Sequence, residues 1–422
     1  MQDSPINRLP QELFDAILDI FHCSQDIQSL RECALTARCF LPSTRRLIFR
    51  TIHLQDILSE DGRAKNTEQF EKLLKSSPHL AEYMTELILD IQGKIHRFDE
   101  RKLPLPFILS RLENLEKITM GKNWMFPALS AALLDALLDA IIAPRIRAIV
   151  MDRLDFNNIA DLIAFCEWTA GSSGIQELSF RHFRTPDRRP ADRVLTRLPR
   201  RAAAPTPLNL RTFAVTHKAE EVKAILEWAT SSRSCLRFTD LRSLTLGDLT
   251  EASFIHLLRI LDAAKDTLTH LHLLGNLPLS LPPLSLTSAR HLRTITCSLS
   301  LDDRSTLNRW CTALHQTEEL KLDSFTVLVD PGLTSRTMTL SDVFVQHPWK
   351  EFEAALFTRT QCRRLEMKVG PMGTPLSTNV IKDCFPLAHA DSQGTGNELV
   401  IMQRINSLEV LEEREYRSRF GV

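Results

Sequence analysis

Four histidines, His182, His217, His270 and His272, lie at or beside short strand-like segments of this 422-residue chain. Imidazole is a common ligand for transition metals, but a metal needs neutral rings held in fixed convergence. No i, i+4 helical histidine pair is present to enforce that, so a solvated surface is the expectation and no metal site is assigned. The nine cysteines, scattered from Cys23 to Cys384, contain no CxxC pair and fit reduced thiols. Nucleotide chemistry has little material. The chain has 13 glycines, about 3% against a usual ~7%. Its nearest approach to a phosphate-cradling loop, Gly394-Thr-Gly396, puts Leu399 where GxGxxG needs its third glycine. None of GxxxxGK[ST], HExxH, GxSxG or the kinase set is present. The chain is therefore not read as an enzyme, and no cofactor is expected.

Charge and hydropathy narrow the partners. Lys and Arg number 52, as do Asp and Glu, so the formal net charge is zero. A general nucleic-acid binder carries a marked basic excess, and none is expected here. No window approaches the 18 or so uncharged apolar residues of a bilayer span. Residues Met1 to Pro5 lack the basic-then-apolar pattern of a secretory signal, so cytoplasm or nucleus is the expected location.

What remains is binding chemistry, concentrated in a polar row. Arg181, Arg211, Arg242, Thr245, His270, His272 and Arg293 are candidates for contact with a target protein. Glu177, Ser179, Thr212, Ser243, Thr269, Thr294 and Thr296 accompany them. They belong together because each sits inside one recurring hexamer, apolar-x-x-apolar-x-apolar. Copies begin at Met84, Leu115, Ile146, Ile175, Leu210, Leu241, Leu268 and Leu292, with weaker ones at Thr317 and Cys362. In a strand with one face on a core, the residues between the apolar ones face away from it. Such a row is either a binding face or an ordinary solvated surface.

Helical periodicity fills several intervals: Leu129 to Ile142, Ile159 to Trp168, Glu220 to Trp228, Ala252 to Ala264 and Thr306 to Leu314. Trp168, Trp228 and Trp310 fall late in these helices, which suggests packing on an outer layer. Strand and helix alternating at this period resemble a leucine-rich repeat, over about residues 84–369. The resemblance implies an α/β solenoid of parallel strands alternating with helices. It is degenerate, since the Asn or Cys expected three residues past the strand motif is convincing only at Asn276. Arg184 to Arg201, with seven arginines and three prolines, reads as a surface insertion within 184–208, either a plain loop or an element for nuclear import or an acidic partner. A second irregular insertion is expected near 325–348. Residues 370–397 read as a loop. Glu398 to Phe420 reads as a helix, with Leu399, Met402, Ile405, Leu408 and Leu411 on one face, sealing the last repeat or free for a partner.

The first 54 residues form a separate small unit. Leu13, Phe14, Ile17, Leu18 and Phe21 make an apolar stripe after Pro10. Asp26 is the expected cap of a second helix, which Pro42 ends, and Ser43 to Phe49 reads as a third. Three short helices bury too little surface alone, so the stripe continues onto this chain or onto another protein. The ordered set Leu9-Pro10-x-Glu12-Leu13, Ile17, Ile20, Leu30-x-x-Cys33-x-Leu35-x-x-Arg38 and Arg46-Leu47-x-Phe49 resembles an F-box. Phe40 stands where that family usually has tryptophan, which keeps an aromatic contact and loses an N–H donor. The resemblance implies docking onto the Skp-family adaptor of a cullin–RING ubiquitin ligase. Leu9, Pro10, Leu13 and Ile17 would enter the adaptor groove, with Leu30, Leu35 and Arg38 supporting them. The implied function is substrate recognition in an SCF-type ligase, with an unidentified target on the repeats. The alternative is an interaction scaffold or inhibitor with no ubiquitin role, its leading helices acting as a cap.

Overall fold

The computed structural model describes residues 11–23, 26–36, 40–57, 65–92, 104–121, 131–154, 156, 158–169, 174–183, 207–275, 284–300, 304–317, 320–330, 348–372, 384–386 and 398–405. The chain divides into two compact units, Met1–His217 with Glu227–Arg237, and Lys218–Leu226 with Phe238–Val422.

The first unit opens with α1 (Gln11–Cys23), α2 (Ile27–Thr36) and α3 (Leu41–Ile48), which pack on one another. Leu18 and Leu30 are buried within this unit at 0% and 1% exposure. Asp26 caps α2 as its position implies: Oδ1 accepts the Ser29 N–H at 2.9 Å. The Ser29 hydroxyl and N–H hold the Asp26 carboxyl below its ordinary pKa. Pro42 does not end α2. It lies in the first turn of α3, where a missing N–H has no intrahelical partner to lose.

Strands and helices then alternate. The strands are β1 (Thr51–Ile57), β2 (Glu86–Gln92), β3 (Lys117–Gly121), β4 (Ala148–Asp152) and β5 (Glu177–Arg181). A short pair follows, β6 (Leu208–Asn209) with β8 (Leu236–Arg237), and between them in sequence lies β7 (Thr212–Thr216). Between strands run α4 (Lys65–Ser76), a 3-10 turn (Pro78–Tyr83), α5 (Leu105–Arg111), α6 (Ala131–Ile142) and α7 (Ile159–Thr169). β1 to β5 and β7 pair side by side in chain order, all parallel. Parallel neighbours require a crossover connection, and the helices supply it. The register aligns Ile52, Leu87, Ile118, Ile149, Leu178 and Phe213 on one line across the strands. Leu54, Leu89, Met120, Met151, Phe180 and Val215 form another line two residues further on. All of these except Ile52 are buried, so the two lines are the floor of the core.

The second unit repeats the arrangement with β9 (Ser243–Leu246), β10 (His270–Leu273), β11 (Thr294–Ser300), β12 (Ser324–Asp330), β13 (Arg364–Met372) and β14 (Glu398–Ile405). These also pair in parallel and in chain order. Its core line is Leu244, Leu271, Ile295, Phe325 and Leu365, all buried. α8 (Ala219–Ala229) belongs partly to each unit, whereas α9 (Glu251–Ala263), α10 (Arg304–His315) and α11 (Trp349–Arg359) belong to the second. A capping box starts α9: Thr250 Oγ1 accepts the Ser253 N–H at 3.1 Å and Ser253 Oγ accepts the Thr250 N–H at 2.7 Å. Trp310 and Trp349 are buried on the helices, and Trp228 is buried on α8.

One backbone device recurs just before the strands. The carbonyl of the preceding residue accepts two successive N–H groups from the next strand's start. Arg50 O takes Thr85 and Glu86 at 3.0 Å each, and Arg147 O takes Gln176 and Glu177 at 2.7 and 2.9 Å. Arg242 O takes Thr269 and His270 at 2.9 Å each. Except in the Thr317 copy, the first apolar residue of the hexamer sits before this point, and the strand begins two residues later.

Three sequence expectations change. The Thr317 hexamer holds no strand among its described residues, because Leu320 and Leu322 are buried in a non-strand segment and β12 begins at Ser324. The irregular stretch expected near 325–348 therefore starts with a strand, and residues 331–347 lie outside those described. The helix expected over Glu398 to Phe420 is a strand as far as it is described, with Leu399 registered on Leu365 and Ile401 on Met367. The insertion Arg184 to Arg201 lies outside the described residues.

Candidate interaction surfaces

Among the described residues the exposed large hydrophobics are Leu13, Ile17, Ile20, Ile27, Leu35, Leu73 and Ile255, five of them on α1 and α2. Leu13, Ile17 and Ile20 recur at i, i+4 and i+7, which places them on one side of α1. Leu18 lies on another face and is sealed inside. Leu13 is 51% exposed, Ile17 43% and Leu35 87%. Leu30, expected to support or extend the contact of these anchors, is buried. At 1% exposure it supports the helix packing from within and has no surface to offer a partner. Leu9, Pro10 and Arg38 lie outside the described residues.

Beside α1 and α3 a cleft of about 1110 Å³ reaches the residues just before β2, β3 and β4. Asp15 and Asp19 of α1 line it with Arg46 of α3 and Arg50 in the turn that follows, and with Arg145, Arg147, Glu82 and Glu116. Its four arginines meet four carboxylates, so the cleft has no bias toward either sign. Ser43 donates to Asp15 Oδ1 across it at 2.8 Å.

The polar row separates into three positions. Arg211, Arg242 and Arg293 lie just before β7, β9 and β11; their side chains are exposed and their backbones belong to the strand-start ladder. Thr245, His270 and His272 lie within strands, facing away from the buried core line. Arg181 ends β5 and is half-buried. Ser179 and Thr296, expected on the same exposed row, are instead buried at 0% and 3%. That face is therefore partly covered.

His270 and His272 stack with ring centroids 6.5 Å apart and planes 10° from parallel. His270 Nδ1 lies 2.7 Å from Thr294 Oγ1. Burial lowers the pKa of both rings. His272 falls furthest, to about 4, because its neighbour His270 adds to the effect of desolvation. Both are neutral at physiological pH, and among the described residues no group of three or more His, Cys, Asp or Glu could hold a metal ion. His217 meets Phe183 with ring centroids 4.7 Å apart and planes tilted by 47°, and His182 follows β5 with a left-handed φ of 48°.

Burial pushes the Cys166 and Cys297 thiols far up and those of Cys311 and Cys362 to about 12, so these cysteines are protonated and unreactive.

A feature that no sequence motif announced lies at the ends of β4, β5 and β7. Asp152, Arg181 and Thr216 are register partners on adjacent strands. Asp152 Oδ1 and Thr216 Oγ1 are buried without a hydrogen bond. Arg181 Nε donates to Ser179 Oγ at 2.9 Å, and desolvation lowers its pKa against the opposing charges of Asp152 and Glu177.

Among the described residues no helix is long and apolar enough to cross a membrane. No family model matches this chain, and no curated protein matches it.

Proposed function

We propose that this chain is the substrate-recognition subunit of an SCF-type ubiquitin ligase, holding a Skp-family adaptor with α1 and α2 and a target protein with the polar side of its parallel strands. One observation carries the reading. Two short helices that pack on a third hold five of the seven exposed large hydrophobics among the described residues, with Leu13, Ile17 and Ile20 on one side of α1. A helix-in-groove contact uses anchors at this spacing. Exposed apolar residues concentrated in one element mark interaction sites in soluble proteins.

Such a subunit performs no bond chemistry. It raises the effective concentration of a target lysine near a conjugating enzyme and orients it. The test is co-purification of the full chain with a Skp-family adaptor. Leu13→Asp places a charge on the exposed ridge and is expected to abolish the complex while leaving thermal unfolding unchanged. Equal recovery of adaptor by the wild type and the variant would sink the adaptor assignment. A wild-type chain that binds no adaptor favours the scaffold reading.

A further inference from the structure

We propose that Asp152, Arg181 and Thr216, on one line across the exits of β4, β5 and β7, hold a side-chain carboxamide, that of an Asn or Gln of the target protein. The proposal deepens the reading of this sheet face as the target-binding side. It names the functional group taken at one point of that face.

Geometry brings the three together. The register pairs Asp152 with Arg181 and Arg181 with Thr216. Adjacent strands put such partners about 5 Å apart. The backbone at this edge is fixed by two residues in the left-handed region. Arg153, φ 58°, donates its N–H to Arg181 O at 2.8 Å, and His182, φ 48°, donates to Thr216 O at 2.8 Å. Left-handed arginine and histidine are uncommon, and such positions cluster where a site constrains the chain.

Hydrogen-bond capacity on this line is left over. Asp152 Oδ1 and Thr216 Oγ1 are buried and unpaired. Arg181 donates from Nε to Ser179, while its two terminal nitrogens make no hydrogen bond or ion pair with a described residue. Native structures rarely leave buried polar atoms unmet, and each exception calls for a cause. Asp152 and Arg181 are each half-buried, while Asp152 Oδ1 and Thr216 Oγ1 have no exposed surface. Entry of a partner's side chain therefore requires the Arg181 side chain, which stands between them on the register line, to move aside.

The ligand class follows from the donors and acceptors. Asp152 accepts only, Arg181 donates only and Thr216 does either. A carboxylate or phosphate would meet Arg181 but be repelled by Asp152 and by Glu177, which both act on that guanidinium. An ammonium would meet Asp152 and be repelled by Arg181. A hydroxyl can donate to Asp152 and accept from Arg181. With a single polar atom and one hydrogen, it leaves more of this line's capacity unmet than a group carrying two polar atoms. A main-chain peptide is trans, so its N–H and C=O point opposite ways. A primary carboxamide is neutral and offers an N–H and a C=O along one edge. Its NH₂ donates to Asp152 Oδ1, and its oxygen accepts from Arg181 with Thr216 as the second donor.

The experiment uses the full chain carrying isotope-labelled arginine, with the Arg181 Nε–H signal assigned through Arg181→Lys. Acetamide, sodium acetate and methylammonium chloride are titrated separately. Acetamide is expected to move the signal saturably, and the other two are not. Thr216→Val, which keeps the side-chain shape, and Asp152→Ala are each expected to weaken the acetamide response by about tenfold, roughly one hydrogen bond. A response to acetate alone, or to methylammonium alone, overturns the carboxamide. Absence of any response overturns the site and leaves the unpaired atoms to water. Adaptor co-purification by the same variants stays intact in either case, which separates failure here from failure of the ligase reading.

Discussion

Asp56 on β1 anchors Thr67 in the first turn of α4. Its carboxylate accepts the Thr67 N–H at 2.9 Å and the Thr67 hydroxyl, and it also takes the Asn66 N–H at 2.8 Å. Both side chains are sealed from solvent, at 2% and 0% exposure. The first N–H groups of a helix have no intrahelical acceptor, so this contact closes α4 and ties it to the strand beneath. Asp56→Ala leaves buried donors unmet and is expected to destabilise the first unit by about 2–3 kcal/mol. Asp56→Asn keeps one acceptor oxygen and should lose less. Urea unfolding of the two variants measures both, and an unchanged midpoint for Asp56→Ala refutes the anchoring role.

Strand periodicity is visible in the sequence where burial alternates and is lost where it does not. Leu244-Thr-Leu246 and Leu271-His-Leu273 alternate in burial, so period two marks their strands. Phe325 to Val329 does not alternate; five consecutive residues are buried, and a strand covered on both faces loses its periodic signal. That is why β12 carries no strand signal in the sequence. Residues 398–405 fit either period, and their state is decided by pairing with β13. Local sequence cannot encode a partner 34 residues away, the separation of Arg364 and Glu398.

Leu13 and Ile17, the anchors proposed on α1, are legible in the sequence because helical spacing shows which residues share a side. Spacing does not show which side is covered. Leu30 and Leu35, both expected in support of the contact, therefore differ: Leu30 is core and Leu35 is 87% exposed. This difference is measurable. Leu18→Ala and Leu30→Ala are each expected to destabilise by about 2–5 kcal/mol, the usual range for a buried leucine. Leu13→Ala and Leu35→Ala should stay within about 0.5 kcal/mol of wild type, as surface substitutions do. Chemical denaturation of the four variants separates the two classes, and a large loss from Leu13→Ala would mean that α1 is held by its exposed side.

Asp152 and Thr216 were invisible for another reason. An aspartate at the end of one hexamer and a threonine at the end of another have nothing in common until the register lines them up around Arg181.

His272 supplies a pH dependence of defined sign. Desolvation, with His270 adding to it, lowers its pKa from the ordinary 6.5 to about 4. Between those values the unfolded chain binds a proton that the folded chain does not. Stability from this residue is therefore complete above pH 6.5 and is lost as the pH falls toward 4. Allowing for its partial exposure, the loss is on the order of 2 kcal/mol. His272→Gln removes the titrating group and should flatten this part of the profile. Denaturant midpoints at pH 7 and pH 5 for both proteins give the comparison, and equal drops would exclude His272 as the source.

Phe325 makes the second unit's sheet answer to its helices. Its ring meets Trp310 of α10 edge-on, with centroids 5.4 Å apart and planes at 87°, and Phe352 of α11 at 5.2 Å and 75°. All three are buried, and Phe325 also stands on the core line between Ile295 and Leu365. Phe325→Ala opens a cavity against two helices at once and is expected to lose about 3–5 kcal/mol. Phe325→Leu refills much of the volume but forfeits both edge contacts, at about 0.5–1.5 kcal/mol for each pair. A double-mutant cycle with Phe352→Leu isolates one contact from general loss of volume. Coupling near zero would show that the aromatic geometry contributes nothing beyond filling space. Coupling of about 1 kcal/mol would show that edge-on ring packing helps hold α11 to this part of the sheet.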